Sequence, residues 1–249
     1  MTGITDDTDR WLRRFRPSPD ATARLACFPY AGGAAPYFVP VAKMLAPSID
    51  VLAVQYPGRQ DRRGEDCLGS VEEIAEQVLP GLRRWADDSL ALFGHSMGAS
   101  VAFEVARRLE AEGTPPRALF VSGRPAPTRN RDEGIHSLGD DAFIAELQNL
   151  GAAAAAALAD EDLRQMAMPS LRADYRAAET YTYRPGTDLT CPVHALIGVD
   201  DPVVTEDEAQ DWQHRTSGPF TLHKYPGGHF YLDTETDDVL ALLRRTLEV

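Results

Sequence analysis

The sequence has little cysteine, no long apolar segment and few basic residues. Three cysteines, Cys27, Cys67 and Cys191, occur in 249 residues. A scattered, odd number of cysteines supports neither a disulfide framework nor a metal knuckle. No window approaches the roughly 20 apolar residues that a membrane-spanning helix needs. We therefore expect a reduced, cytoplasmic protein that does not enter a membrane.

The deficit of basic residues restricts the possible partners. Lys and Arg number 25 against 38 Asp and Glu, which gives a formal net charge of -13. A surface of this sign repels nucleic-acid phosphates and anionic lipids, so we expect no nucleic-acid and no membrane partner. Residues 1–9 hold three aspartates and no apolar run. They therefore predict neither a signal peptide nor a transit peptide.

Short apolar runs alternate with helical stretches along the chain. The predicted strands are 24–29, 49–55, 90–93, 118–121, 193–197 and 220–225. The predicted helices are 38–45, 71–85, 101–109 and 237–247. Ser70 precedes Glu72 and Glu73, which is typical of a capped helix start. This alternation predicts an α/β fold with a mostly parallel sheet and helices on both faces.

One segment, 129–183, has a helical pattern without a strand. We interpret it as an insertion into a single domain spanning 1–249, and as a lid over the carboxyl edge of the sheet. Six consecutive alanines at 152–157 lie inside it. They are either a solvent-facing helical turn, since alanine is the strongest helix former, or a stretch in which alanines replace native side chains.

A candidate nucleophile lies between a predicted strand and a predicted helix. The sequence Gly-His-Ser-Met-Gly at 94–98 matches G-x-S-x-G, the nucleophile elbow of α/β-hydrolases. Glycines two residues to either side let the strand and the helix approach closely around a strained serine. We therefore predict an α/β-hydrolase fold with Ser96 as the nucleophile. The alternative is a serine that only caps the following helix.

The candidate acid and base follow the serine in the order that this fold requires. Asp201 comes just after a predicted strand and directly before a Pro-x-Val sequence. Asp200 is its competitor, and we favour Asp201 because the motif places the acid before the proline. His229 follows the last predicted strand in a glycine-softened loop. We predict that His229 is the general base and that Asp201 orients it.

Hydrolysis also needs donors for the oxygen that becomes negative in the tetrahedral intermediate. The backbone N–H of Met97, directly after the nucleophile, is one candidate. The second is the N–H of Ala31 in the loop after the first predicted strand. Gly32 and Gly33 would let this loop approach the substrate, although a plain turn is the alternative.

Several of these segments together resemble the type II thioesterases that accompany polyketide and nonribosomal peptide synthetases. The resemblance runs from about residue 25 to the last helix. It is carried by FPYAGG at 28–33, QYPGR at 55–59, GHSMG at 94–98, PSLRAD at 169–174, ETY at 179–181 and GGHF at 227–230. The PSLRAD run is the most specific of these, and the alanine run is the departure from the family pattern.

The resemblance implies an enzyme that hydrolyses acyl thioesters from the phosphopantetheine arm of acyl or peptidyl carrier proteins. It implies an acyl-enzyme intermediate, an editing or release role in antibiotic-type biosynthesis, and no metal or organic cofactor. We expect a monomer. A medium-chain fatty acyl thioesterase or a general carboxylesterase is the alternative, because the same triad serves both kinds of ester. A binding protein with an inactive triad is a more remote one.

Carrier proteins of this kind are acidic, so docking to a chain with a charge of -13 needs a local basic patch. Candidates lie in loops after two predicted strands. They are Arg59, Arg62, Arg63, Arg124, Arg129 and Arg131. Solvated surface arginines without a partner are the alternative for each.

Overall fold

The computed structural model describes residues 10–151, 158–186 and 188–247. Within them, seven strands form one sheet in the order β1-β3-β2-β4-β5-β6-β7. The strands are β1 (Leu12–Arg13), β2 (Ala23–Phe28), β3 (Ile49–Val54), β4 (Leu90–His95), β5 (Leu119–Ser122), β6 (Val193–Gly198) and β7 (Phe220–Tyr225). Only β1 is antiparallel to its neighbour; the other pairs are parallel. The predicted mostly parallel sheet is confirmed.

Helices cover both faces of this sheet. They are α1 (Val39–Leu45), α2 (Val71–Arg83), α3 (Met97–Ala111), α4 (Asp140–Asn149), α5 (Glu161–Thr180), α6 (Glu206–Gln210) and α7 (Thr236–Leu247). Successive strand residues point to opposite faces. Ala26 and Phe28 accordingly pack with α2 and α3, whereas Leu25 and Cys27 pack with α1 and α7. Burial on both sides explains why these strands read as continuous apolar runs rather than as alternating ones.

The observed elements match the predicted ones with small differences at their ends. Ser70 caps α2, because its side chain accepts the N–H of Glu73 at 3.2 Å. Helix α3 begins at Met97 rather than at Val101, since a glycine and a serine in its first turn weaken the local helical signal. The two-residue β1 and the five-residue α6 were not predicted, because elements this short carry almost no periodicity.

The 129–183 segment lies between β5 and β6 and holds α4 and α5, with no strand among its described residues. The alanines at 152–157 fall outside the described residues. Leucines of the segment form an apolar cluster with Phe143 and Ile144. The C-terminal half of α5 packs on the main core instead, through Ala177 and Ala178. None of the helices in the described ranges has the length and apolar character that crossing a bilayer requires.

Candidate active site

Ser96 occupies a strained turn where β4 passes into α3. Its backbone has φ 54° and ψ −121°, a positive φ that a residue with a side chain rarely adopts. The backbone N–H of Ser96 donates to the carbonyl of Ser122 on β5 at 2.8 Å, which fixes the turn against the sheet. The serine therefore lies at the carboxyl edge of the sheet, at the N-terminus of α3.

The glycines on either side of Ser96 are required by close backbone contacts. A Cβ at Gly94 would lie 2.2 Å from the carbonyl oxygen of Gly98. A Cβ at Gly98 would lie 2.1 Å from the carbonyl oxygen of Phe28 on β2. Any side chain at either position would push α3 away from the strands. These contacts are the steric reason for the two glycines of the G-x-S-x-G motif, as the sequence predicts.

His229 and Asp201 form a buried pair at the same edge of the sheet. His229 Nδ1 lies 2.9 Å from Asp201 Oδ2 and 3.1 Å from Asp201 Oδ1. The His229 side chain is 3% exposed and the Asp201 side chain is fully buried. Asp201 Oδ1 also accepts the N–H of Val203 at 2.8 Å. A carboxylate oxygen accepts hydrogen bonds, so Nδ1 is the donor of this pair and Nε2 is left as the acceptor nitrogen of the ring.

The loop that carries His229 can reach Asp201 because of a glycine on β6. A Cβ at Gly198 would lie 2.3 Å from the carbonyl oxygen of Gly228, so the loop after β7 packs directly on the end of β6. The competing carboxylate, Asp200, is exposed. The structure therefore places Asp201, and not Asp200, against the imidazole.

Ser96 and His229 line one cavity of about 290 Å³. No direct hydrogen bond joins the Ser96 hydroxyl to the His229 ring in the part of the chain that the structure describes. In unliganded sites such bonds are often long and shorten when substrate is bound. The two side chains are thus neighbours on a shared wall, with the Asp201 carboxylate behind the histidine.

A second histidine, His95, lies behind the nucleophile and remains neutral. Its Nδ1 is 2.9 Å from Ser122 Oγ, which in turn is 2.6 Å from the hydroxyl of Tyr231. Complete burial, and then the nearby His229, hold the pKa of His95 well below its ordinary value. The two imidazole rings are 5.0 Å apart between centroids. Because His95 stays neutral, it does not oppose a positive charge on His229.

The loop after β2 carries the predicted donor Ala31 to this cavity. In this loop the N–H of Gly33 donates to the carbonyl of Tyr30 at 2.8 Å. The N–H of Gly32 donates to a carboxylate oxygen of Asp174 at 2.7 Å. Gly32 has φ +79°, and a Cβ there would lie 2.3 Å from a methyl carbon of Leu171. The two N–H groups after Ala31 are therefore occupied, whereas Ala31 faces the cavity.

Met97 is the first residue of α3 and is fully buried. Its N–H belongs to the first turn of the helix, whose N–H groups have no carbonyl partner within the helix. The positive end of the helix dipole lies at the same place. The backbone after Ser96 therefore offers a favourable environment for a negative oxygen.

A larger cavity of about 540 Å³ adjoins the first one. Both cavities are bounded by Tyr30, Ala31, Leu150, Tyr175 and Phe230. The cavity around Ser96 has a polar far wall that includes Arg124, Asn130, Glu133 and Glu179. The walls of the larger cavity include Leu147, Leu158, Leu163, Met166 and Leu171, together with Arg59, Gln60, Asp61 and Arg63. Ser96 thus lies in the smaller of two adjoining cavities, and both cavities have polar and apolar residues in their walls.

The arginines that the sequence suggested for docking lie in different environments. Arg59 and Arg62 are buried, and they pair with Asp174 and Glu65 respectively. Burial in these ion pairs removes their guanidinium groups from the surface, so the predicted docking role is wrong for both. Arg63, by contrast, is exposed and lines the rim of the larger cavity.

The remaining three arginines also have protein partners. Arg124 is buried and donates to the carbonyl of Ala178, and burial lowers its pKa to about 10. Arg129 and Arg131 are exposed, and each forms an ion pair with an acidic side chain. None of the three is a free cation at the surface among the described residues. Their predicted docking role is therefore not favoured.

One grouping among the described residues has the composition of a metal site: Asp132, His136 and Glu179. Hydrogen bonds within the protein account for it. Glu179 accepts the backbone N–H of Ile135 and of His136, and it lies 2.6 Å from His136 Nδ1. These bonds attach the start of the 129–183 segment to α5.

The sequence does not predict the contact between Asp174 and Arg59. The PSLRAD run indicates no partner for Asp174, and the position of Arg59 in a polar loop predicts a surface residue. Asp174 shares its helix face with the apolar residues Leu171 and Ala177, and an aspartate at such a position is a signal that it has a partner. The identity of its partner is not a local property of the sequence.

The sheet order, the turn at Ser96 and the buried histidine–aspartate pair define the α/β-hydrolase class. The chain belongs to the thioesterase domain family, which matches residues 23–247. It is 50% identical over 235 residues to thioesterase PikA5 of Streptomyces venezuelae, which covers 94% of this chain and 84% of that protein. It is 44% identical to a probable cadicidin biosynthesis thioesterase of Streptomyces griseus, over 96% of this chain and 66% of that protein.

Solved structures give the same result. The type II thioesterase BorB of the borrelidin biosynthetic cluster has a TM-score of 0.88 and 49% identity, over 97% of both chains. RedJ, a thioesterase of the prodiginine pathway of Streptomyces coelicolor, has a TM-score of 0.87 and 38% identity, over 93% of this chain and 88% of that one. The predicted α/β-hydrolase fold and the resemblance to type II thioesterases are confirmed, and the chain is a thioester hydrolase.

Proposed function

We propose that this enzyme hydrolyses acyl thioesters held on the phosphopantetheine arm of acyl or peptidyl carrier proteins, with Ser96, His229 and Asp201 as its catalytic triad. The observation that carries the proposal is the buried His229–Asp201 pair, which lies on the wall of the cavity that contains Ser96. The type II thioesterases among the structural relatives, one of them from a mixed nonribosomal peptide and polyketide pathway, support the substrate class.

The proton transfers follow from the tautomer that Asp201 imposes. Asp201 accepts the Nδ1 proton of His229, so the Nε2 atom takes the hydroxyl proton of Ser96 as the oxygen attacks the thioester carbonyl. The imidazolium that forms is stabilised by the buried carboxylate. The neutral His95 ring beside it adds no opposing charge.

The tetrahedral intermediate places a negative charge on the former carbonyl oxygen. The N–H groups of Ala31 and Met97 stabilise this oxygen, aided by the N-terminus of α3. The C–S bond then breaks and pantetheine leaves as a thiolate, which needs less protonation than an amine does. The thiolate takes the proton from the His229 imidazolium. Neutral His229 then removes a proton from water, which attacks the acyl-enzyme, and returns this proton to Ser96 Oγ as the bond to the acyl group breaks and the acid is released.

The two adjoining cavities suit the two parts of such a substrate. The acyl chain would occupy the larger cavity, where leucines of the 129–183 segment supply apolar contacts. The amide-containing pantetheine arm would occupy the smaller cavity, where Asn130 and Glu133 offer hydrogen-bonding groups. Because α4 and α5 contribute to both walls, the 129–183 segment acts as the lid of a single catalytic domain.

The proposed substrate class is tested by comparing carrier-bound thioesters with matched nitrophenyl esters of the same acyl chains. Chains from two to twelve carbons should be used on both supports. We expect kcat/KM to be at least tenfold higher for the carrier thioester at the preferred length. Equal or higher values for the free esters would indicate a general carboxylesterase instead. A preference for fatty acyl chains on coenzyme A over carrier protein would indicate a fatty acyl thioesterase.

Arg63 remains a candidate contact for the acidic carrier. It forms no ion pair with any described residue and lies at the rim of the larger cavity. We expect Arg63→Glu to raise KM for carrier thioesters about two- to fivefold without changing kcat, since rim charges contribute roughly 1 kcal/mol or less. Arg16→Glu is the matched control, because Arg16 is also exposed but lies on a different surface pocket. An unchanged KM, or the same rise in both variants, would contradict docking through Arg63.

A further inference from the structure

The loop that carries Ala31 is held by a buried ion pair from two other parts of the chain. Asp174 Oδ2 accepts the N–H of Gly32 at 2.7 Å, and Arg59 Nη1 donates to the carbonyl of Gly33 at 3.2 Å. Arg59 and Asp174 are joined by two hydrogen bonds, and Nη2 lies 2.8 Å from Oδ1. The pair thus fixes one donor and one acceptor of the backbone directly after Ala31.

This ion pair is deeply buried. The side chain of Arg59 is 8% exposed and that of Asp174 is 1% exposed. Removing two charges from water costs several kcal/mol per ion, and apolar residues of similar volume often stabilise a protein as well or better. A role in stability alone therefore does not account for these charges. Their specific property is that they can bind polar groups of the neighbouring backbone.

Two residues close to Arg59 in sequence contact the same loop at its start and at its end. The hydroxyl of Tyr56 donates to the carbonyl of Pro29 at 3.1 Å. Gln55 Oε1 accepts the N–H of Ala35 at 3.1 Å. The guanidinium of Arg59 lies over the Tyr56 ring, 5.4 Å from its centroid. The QYPGR run at 55–59 is therefore a set of contacts to the loop after β2.

We propose that Arg59 and Asp174 are positioning residues that hold the N–H of Ala31 toward the oxyanion of the Ser96 intermediate. The inference rests on the proposed function of Ser96 and Ala31. Oxyanion donors are effective because they are fixed before the reaction begins, and a small displacement of such a donor lowers the rate. Asp174 lies on α5, so the pair also ties the oxyanion loop to the 129–183 segment.

The test is Asp174→Asn, which keeps the shape of the side chain. The amide has one acceptor oxygen instead of two and leaves Arg59 without a counter-charge. We expect kcat for a nitrophenyl ester to fall about 10- to 100-fold while KM changes less than about threefold, because the negative oxygen forms only after the substrate has bound, in the transition state and the tetrahedral intermediate. Rates are to be normalised by active-site titration with a fluorophosphonate, so that unfolded protein does not contribute.

A second measurement separates positioning from stability. A trifluoromethyl ketone forms a tetrahedral adduct with a catalytic serine and places a negative oxygen at the oxyanion site. We expect its inhibition constant to rise in Asp174→Asn by about the same factor by which kcat/KM falls. A residue with only a structural role would lower the titratable fraction and leave this constant unchanged.

Asp50→Asn is the matched control. Asp50 is 2% exposed, accepts the guanidinium of Arg14 at 2.6 Å and accepts the N–H of Ser18 at 3.3 Å. It is thus another buried carboxylate that binds an arginine and a backbone N–H. It lies near the start of β3, away from the carboxyl edge that holds the site. We expect a lower melting temperature in Asp50→Asn, but an unchanged normalised kcat and inhibition constant.

If Asp174→Asn does not fold, the double variant Arg59→Met with Asp174→Leu removes both charges and leaves none uncompensated. The same fall in kcat and the same rise in the ketone inhibition constant support the inference. Unchanged values for both in a folded variant overturn it. The ester assay keeps this test separate from the substrate class. Failure to hydrolyse carrier thioesters would reject the proposed substrate class. It would not affect the test of Arg59 and Asp174, which uses a nitrophenyl ester.

Discussion

Replacing Ser96 with alanine is expected to lower kcat for every ester and thioester by about 10⁴-fold or more. Loss of a triad nucleophile removes covalent catalysis altogether, and only substrate binding and oxyanion stabilisation remain. Folding should be preserved, although alanine must still adopt the strained φ of 54° that Ser96 has. Steady-state hydrolysis and the melting temperature should be measured on the same preparation.

Intact-mass measurement after fluorophosphonate treatment gives an independent check on Ser96. The wild type should gain one adduct mass and Ser96→Ala none. Ser100→Ala is the matched control, because it removes a buried hydroxyl further along the same helix. We expect that variant to label normally and to retain activity within about fivefold. Unimpaired hydrolysis or labelling in Ser96→Ala would rule out this serine as the nucleophile.

Replacing Asp201 with asparagine is expected to lower kcat by about 10⁴-fold, as for the acid of other serine triads. The contacts give the reason. Asp201 Oδ1 accepts the N–H of Val203, so the amide oxygen of an asparagine would occupy that position. Its NH₂ group would then face His229 Nδ1 and favour the tautomer with the proton on the wrong nitrogen.

The neighbouring carboxylate supplies the control for this prediction. Asp200→Asn makes the same change in charge one residue earlier, but Asp200 is exposed. We expect its kcat to stay within about twofold of the wild type. Rates should be measured for both variants with a nitrophenyl ester at pH 7. A large loss in Asp200→Asn and a small one in Asp201→Asn would reverse the assignment of the acid.

Much of the candidate site could be predicted because its signals are local. The elbow at Ser96 is a five-residue pattern whose glycines are required by contacts within the turn and with the adjoining strand. His229 follows a strand in a glycine-rich loop, and Asp201 precedes a proline. Each signal depends on residues within a few positions, which is the range over which sequence patterns report conformation.

The choice between two adjacent aspartates was harder, because both lie in the same loop with the same local composition. Only the folded loop separates them. Asp201 turns inward to His229, 28 positions along the chain, whereas Asp200 stays at the surface. The Pro-x-Val pattern also favours Asp201, but it does not show which residue Asp201 contacts.

The sequence did not predict which of the arginines are buried and which are exposed. Arg59 follows a strand in a polar loop, as a surface arginine does, yet it is buried against Asp174, 115 positions away. Arg63, four positions later in the same loop, is exposed. Neighbouring residues of one type thus have opposite roles, and no periodicity distinguishes them.

By itself the sequence determined the α/β-hydrolase fold and predicted the turn at Ser96 and the three candidate residues of the triad, because apolar runs, glycines and prolines act on the chain locally. The tertiary structure decided which aspartate contacts His229, which arginines are buried and how α5 meets the loop after β2. These are long-range contacts. Each depends on two distant segments packed together, and their pairing energy is a property of the folded core rather than of either segment.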